Sequence, residues 1–232
     1  MKKKLLTAAL LIVVPFVMKA QEKIRVMAGE DFSKALNSYG IYRFPAFTQS
    51  KIFFRNRTPS AARLNYNLVL AELQFINSPT DTLSIGNPED LQWIEIDSVL
   101  YYYDKRYLEV LAGGAEDVKL AFWQQIKIEF EQLGAFDKPA NGVDVKSYKN
   151  VNSPMGYNIT DLTANQNRII TKETRYFLVD KYGKSFPANK SSFYNLFPGG
   201  KAKIQDYIKQ ADIHFERIED LKKLYAFCRE VN

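Results

Sequence analysis

Residues 118–130, VKLAFWQQIKIEF, decide the fold class. Val118, Leu120, Phe122, Ile126, Ile128 and Phe130 fall on one parity, interrupted only by Gln124. Lys119, Lys127 and Glu129 share the other parity with Ala121, Trp123 and Gln125. A period of two belongs to a strand with one buried face, whereas a helix would need a period of 3.6. At about 3.3 Å per residue this strand would be unusually long, so a bend or bulge near Gln124 and Gln125 is expected, with the sheet curving there.

Upstream, from about 41 to 130, further short runs of aromatic and β-branched residues are separated by turn signals. They predict antiparallel strands at 51–55, 63–76, 82–85, 91–96, 99–103 and 107–111, with turns at 77–81, 86–88 and 113–117. Downstream, residues 134–172 are polar and punctuated by Gly134, Pro139, Gly142, Pro154 and Gly156, which predicts an irregular segment, either a functional loop or a connection. A strand at 175–179 follows. A short helix at 191–196, capped by Asn189, is then broken by Phe197, Pro198, Gly199 and Gly200. Two apolar stripes complete the chain: Ile204, Tyr207, Ile208 and Ala211, then Ile218, Leu221, Leu224, Tyr225 and Cys228. The expected fold is therefore α+β: an antiparallel β-rich sheet, curved or sandwich-like, with C-terminal helices packed on it. Residues 21–133 and 173–232 form one domain in this reading, with 134–172 between them.

The first twenty residues, MKKKLLTAALLIVVPFVMKA, read as an export signal. Lys2, Lys3 and Lys4 precede an apolar run from Leu5 to Val17, and Ala20 offers a cleavage point that would leave Gln21 as the mature N-terminus. The run is interrupted by Pro15 and is shorter than the roughly 20 residues a spanning helix needs. No cysteine follows it to carry a lipid. The expectation is release as a soluble protein, in the periplasm or at the cell surface. Four lysines and no acid leave with the signal, so the formal charge of +6 falls to +2. The remaining basic residues are scattered rather than gathered into the footprint a nucleic acid requires.

Cys228 is the only cysteine, so no intramolecular disulfide can form, and its place in a helical stripe suggests a small buried hydrophobe. His214 is the only histidine. A zinc site built from several His and Cys ligands is thereby excluded, and a Ser/His/Asp triad would have to use this one residue. Phosphate-loop, dinucleotide, nucleophile-elbow and EF-hand motifs are missing from the sequence, and no cofactor or metal is expected.

Three groups of residues are candidates for a site. Arg63, Asn65 and Asn67 alternate with apolar Leu64, Tyr66 and Leu68, forming either a polar ligand-binding row or a solvated sheet face. Trp93, Tyr101, Tyr103 and Trp123 sit on parities that include polar residues, and would form a stacking platform for a sugar or peptide if they shared a face, or else a second core layer. Glu95 with Asp97, and Glu129 with Glu131, are spaced to share a strand face, which suits glycoside acid/base chemistry or simply a wet surface. In addition, Asp81-Thr82-Leu83 and Asp97-Ser98-Val99 resemble the acceptor triplet for O-linked sugars of some Gram-negative exporters.

The runs ARLNYN, AELQFIN, DTL and NPEDL between Ala62 and Leu91, with NLFPGGKAKIQDYIKQ and EDLKKL near the end, resemble a pattern in uncharacterised exported proteins of Gram-negative bacteria. The resemblance implies an envelope protein and transfers no catalytic residue. Two function classes follow. One is a non-catalytic binding or scaffolding module whose partner is an envelope glycan or protein. The other is a periplasmic or cell-surface hydrolase acting on glycans through carboxylates. The lack of a nucleophile paired with a base favours the first.

Overall fold

A computed structural model describes residues 23–78, 81–114, 116–131 and 167–232. The leader, the cleavage point at Gln21 and residues 134–166 of the predicted irregular segment lie outside them. Eleven strands in the described residues form one antiparallel sheet. In chain order they are β1 (Lys23–Val26), β2 (Thr48–Phe54), β3 (Ser60–Asn67), β4 (Glu72–Ser78), β5 (Asp81–Ser84), β6 (Leu91–Ile96), β7 (Val99–Tyr103), β8 (Tyr107–Ala112), β9 (Lys119–Glu131), β10 (Asn167–Val179) and β11 (Ser185–Pro187). Their order across the sheet is β1-β10-β9-β8-β7-β6-β2-β3-β4-β5, with β11 also on β10. The described residues also form four α-helices: α1 (Phe32–Tyr39), α2 (Lys190–Leu196), α3 (Lys201–Gln210) and α4 (Ile218–Val231).

The deciding stretch is strand β9, and its alternation holds except at its start, where the opposite parity is buried as well: Lys119 is 1 % exposed, and Ala121 joins Leu108, Phe177 and Val179 in a second cluster against which Trp123 packs. Leu120, Ile126 and Ile128 face the packed side, where Ile126 joins Leu64, Tyr66, Ile94, Ile96 and Tyr101 in the main core. The expected bulge does not form on the ladder with β10, which runs unbroken from Lys119 opposite Val179 to Glu131 opposite Asn167. The partner changes instead. β8 pairs with β9 only as far as Phe122, and past that point the Ile126 N–H donates to the Leu68 carbonyl at 2.7 Å. The sheet thus curls until the end of β3 meets β9, and the bulge falls in β8 between Val110 and Ala112.

Two further expectations are corrected. The predicted strand 63–76 is two strands, because a turn at 68–71 with Ala71 at φ 56° reverses the chain. Residues 167–172 belong to β10 rather than to an irregular segment, since Ile170 opposite Ile128 and Ile24 supplies the apolar parity. Helix α1 and strand β1 were not anticipated, although Asp31, whose side chain accepts from the Lys34 N–H, and Gly40 after the last turn are ordinary helix boundaries.

The C-terminal helices cover the other end of the same sheet face. The Asn189 side chain caps α2 by accepting from the Ser192 N–H at 3.0 Å. Leu221, Leu224, Tyr225 and Cys228 of α4 pack with Ile204 of α3, Phe193 of α2, and Leu120 and Leu178 of the sheet. Two glycines permit the docking. A Cβ on Gly113, itself at φ +104°, would lie 2.5 Å from the Tyr225 hydroxyl, and one on Gly200 would lie 2.5 Å from the Val231 side chain. Burial pushes the Cys228 thiol up to about 12. At pH 8 only about one thiol in ten thousand would be ionised, so native Cys228 is expected to resist a disulfide reagent that labels it within minutes in urea. Equal rates in the two states would show that α4 is undocked.

Candidate functional site

The most polar part of the interior is built by β3, β7, β8 and β9. Glu109 sits on the inward parity of β8, where Tyr107 and the paired Tyr101 share its face. Its carboxylate receives Nε and Nη2 of Arg43 at 3.0 and 2.9 Å, and the Tyr101 hydroxyl donates to it at 2.5 Å. Tyr66 donates to the Gln124 carbonyl at 2.9 Å, and the Gln124 amide donates to the Thr174 hydroxyl at 3.0 Å. Burial first, then the Glu109 charge, holds the Tyr101 phenol well above its ordinary pKa, and the same causes act on Tyr66. Both remain neutral donors. The Arg43 guanidinium is raised by its hydrogen bonds to Glu109. These groups surround a cavity of about 10 Å³, room for about one water molecule and none for a sugar or peptide. This cluster holds structure in place: it pins Arg43, and with it the segment 41–47, over the end of the barrel-like curl.

The Arg63, Asn65, Asn67 row serves the same segment. Asn65 is buried and clamps Phe44, donating to its carbonyl at 2.9 Å and accepting from its N–H at 3.1 Å. Asn67, also buried, accepts from the Val69 and Leu70 N–H groups and so shapes the turn into β4. Arg63 reaches the Phe47 carbonyl at 3.2 Å. Asn65 therefore spends its side-chain hydrogen bonds on backbone, and Asn67 divides its own between backbone and the Gln74 side chain, to which its amide donates at 3.0 Å. The sequence leaves a ligand-binding row and a solvated face both open here, because period two reveals which side a residue takes, not what later covers it. Glu109 and Arg43 escaped notice altogether. The signal was an acid on the inward parity of YLEVLA.

The four aromatic candidates do not share a face. Tyr101 is buried in the core and Tyr103 packs against it. Trp93 and Trp123 take the opposite parities and lie on the outward face. Trp93 stacks on Phe53, its cross-strand partner, with ring centres 4.7 Å apart. Trp123 lies between two guanidiniums, with Arg106 at 5.6 Å and its cross-strand partner Arg175 at 5.7 Å from the ring centre. Arg106 also covers Phe177 at 5.0 Å. Both tryptophans are half-buried, and Arg175 is exposed.

In the second carboxylate pair each acid has a partner of its own. Glu129 pairs with Lys127 at 2.5 Å. Arg25 binds Glu131 through Nε and Nη2, and Asn167 adds a bond at 3.2 Å, so Glu131 is held below the usual glutamate range. Asp97 forms the β6–β7 turn with Ser98, both at positive φ. Thr82 and Ser98 of the acceptor-like triplets are exposed. His214 is tied into the α3–α4 connection by the Asp212 carbonyl at 2.7 Å and the Asp220 carboxylate at 3.6 Å. Among the described residues no group of three His, Cys, Asp or Glu is placed to hold a metal, and no helix is long and apolar enough to cross a membrane. Comparison with protein-family models, with curated proteins and with solved structures finds no match for this chain.

Proposed function

We propose that the protein is exported by its N-terminal leader and acts in the envelope by binding, with the outward face of the sheet as its recognition surface and an acid-bearing glycan as its partner. The observation that carries this reading is Trp123 set between Arg106 and Arg175 on the face opposite the main core. An indole face receives the C–H side of a sugar ring, and the Arg106 guanidinium beside it supplies N–H donors for the ring's carboxylate or phosphate groups, whereas Arg175 is paired with Glu173 through Nε and Nη2. The Trp93–Phe53 stack on the same face gives a second apolar platform on a rigid ladder. The interior acid, Glu109, is committed to Arg43 and Tyr101 beside a cavity too small for a substrate.

Sedimentation with purified peptidoglycan sacculi, which carry carboxylates, tests the proposal. Trp93→Ala and Trp123→Ala should each keep the wild-type circular dichroism spectrum and bind about two- to tenfold more weakly, the loss of one aromatic contact. Wild-type binding that is unaffected by either change contradicts it. So does unfolding of both variants, which would make the rings structural.

A further inference from the structure

Arg168 lies near the start of β10 on the inward parity, opposite Val26 of β1 and Phe130 of β9. It is 3 % exposed. Its guanidinium carbon is 4.6 Å from the centre of the Phe32 ring and 5.5 Å from that of Phe130. Arginine is rarely buried without a counter-charge, and buried N–H groups nearly always find an acceptor. Yet Nε and Nη2 of Arg168 are both buried with no hydrogen-bond partner among the described residues.

Those two nitrogens are the pair that matches the two oxygens of a carboxylate. The same fold uses them that way twice, in Arg43 on Glu109 and in Arg25 on Glu131. In Arg168 the fork is more deeply buried and meets no acceptor among the described residues. We propose that Nε and Nη2 of Arg168 form a binding site for the carboxylate of a ligand with an apolar substituent. Val26, Phe32 and Phe130 supply apolar walls, which favour a hydrocarbon neighbour and a single negative charge; a dianion would leave one charge uncompensated there. Phe32 begins α1, which is bracketed by Gly29 and Gly40, both at φ +86° with nothing within 4 Å of an added Cβ, so α1 is the element whose displacement would open Arg168 to a ligand. The site is on the opposite face from Trp93 and Trp123, so each proposal stands or falls alone.

The test is thermal unfolding and calorimetric titration of the whole protein with sodium hexanoate, its neutral analogue hexanamide, and inorganic phosphate. Hexanoate at a hundred times its Kd should raise the Tm by about 5–10 °C, with no response to hexanamide or phosphate. Arg168→Met should melt above unliganded wild type, because an unpaired buried charge is removed, and should ignore hexanoate. Arg168→Lys, which keeps the charge and loses the fork, should bind at least tenfold more weakly, and it serves as the test if the methionine variant does not fold. A leucine-terminated peptide, compared as free acid and as amide, separates the two sources of such a carboxylate: tighter binding of the acid than of hexanoate assigns the site to peptide termini, and weaker binding to small acids. No wild-type response to hexanoate, an equal response in Arg168→Met, or an equal response to phosphate overturns the proposal.

Discussion

Leu221→Ala is expected to lower the stability of the protein by about 2–5 kcal/mol. Leu221 has no exposed surface and sits where α4 meets α2, α3 and the sheet, in the cluster that includes Leu120, Leu178, Phe193 and Ile204. Shortening it removes buried methyl groups and leaves a cavity whose walls belong to four elements, so no one of them can move to fill it. Lys222→Ala, on the exposed side of the same helix, should stay within about 0.5 kcal/mol. Urea unfolding of the pair reads the difference directly. A loss below about 1 kcal/mol for Leu221→Ala would mean that α4 does not depend on its seat.

Arg43→Met is the second large effect, at about 3 kcal/mol or more. The two partners are unequally buried: the Glu109 side chain is 8 % exposed and that of Arg43 is 38 % exposed. Removing the arginine strands a carboxylate in the interior with only the Tyr101 hydroxyl beside it. Removing the acid lets Arg43 turn toward water, so Glu109→Gln, whose amide oxygen can still accept, should cost less than Arg43→Met. The double variant Arg43→Met/Glu109→Leu should recover much of the loss, since an apolar pair replaces an ion pair at little net cost. Equal losses for the two single variants, additive in the double, would show that the pair acts independently.

Much of the fold was legible because parity and turn chemistry are local. The strands at 91–96 and 99–103 were read with their observed limits, since IEIDSVLYY carries apolar alternation on both sides of a two-residue turn at Asp97 and Ser98. The α4 stripe was equally plain, and its Leu221, Leu224, Tyr225 and Cys228 are all buried. What failed is what depends on distant chain. Asn65 and Asn67 looked solvent-facing until the segment 41–47 lay over them, and Tyr101 parted from Trp93 because the turn at 97–98 sets which parity of β7 continues which parity of β6. The Arg43–Glu109 pair joins residues 66 positions apart, a separation at which one sequence carries no register. Arg168 fell within a stretch read as irregular, so its burial could not be foreseen.

The chain has two tryptophans, Trp93 and Trp123, and both lie on the outward face. Intrinsic fluorescence therefore reports that face alone. Wild-type protein titrated with soluble, carboxylate-bearing peptidoglycan fragments should show a saturable blue shift in tryptophan emission and protection from iodide quenching, lost at high salt as the Arg106 contact is screened. Saturable binding by calorimetry with unchanged emission and unchanged quenching would contradict the account, because the ligand would then be held away from the only face these rings occupy.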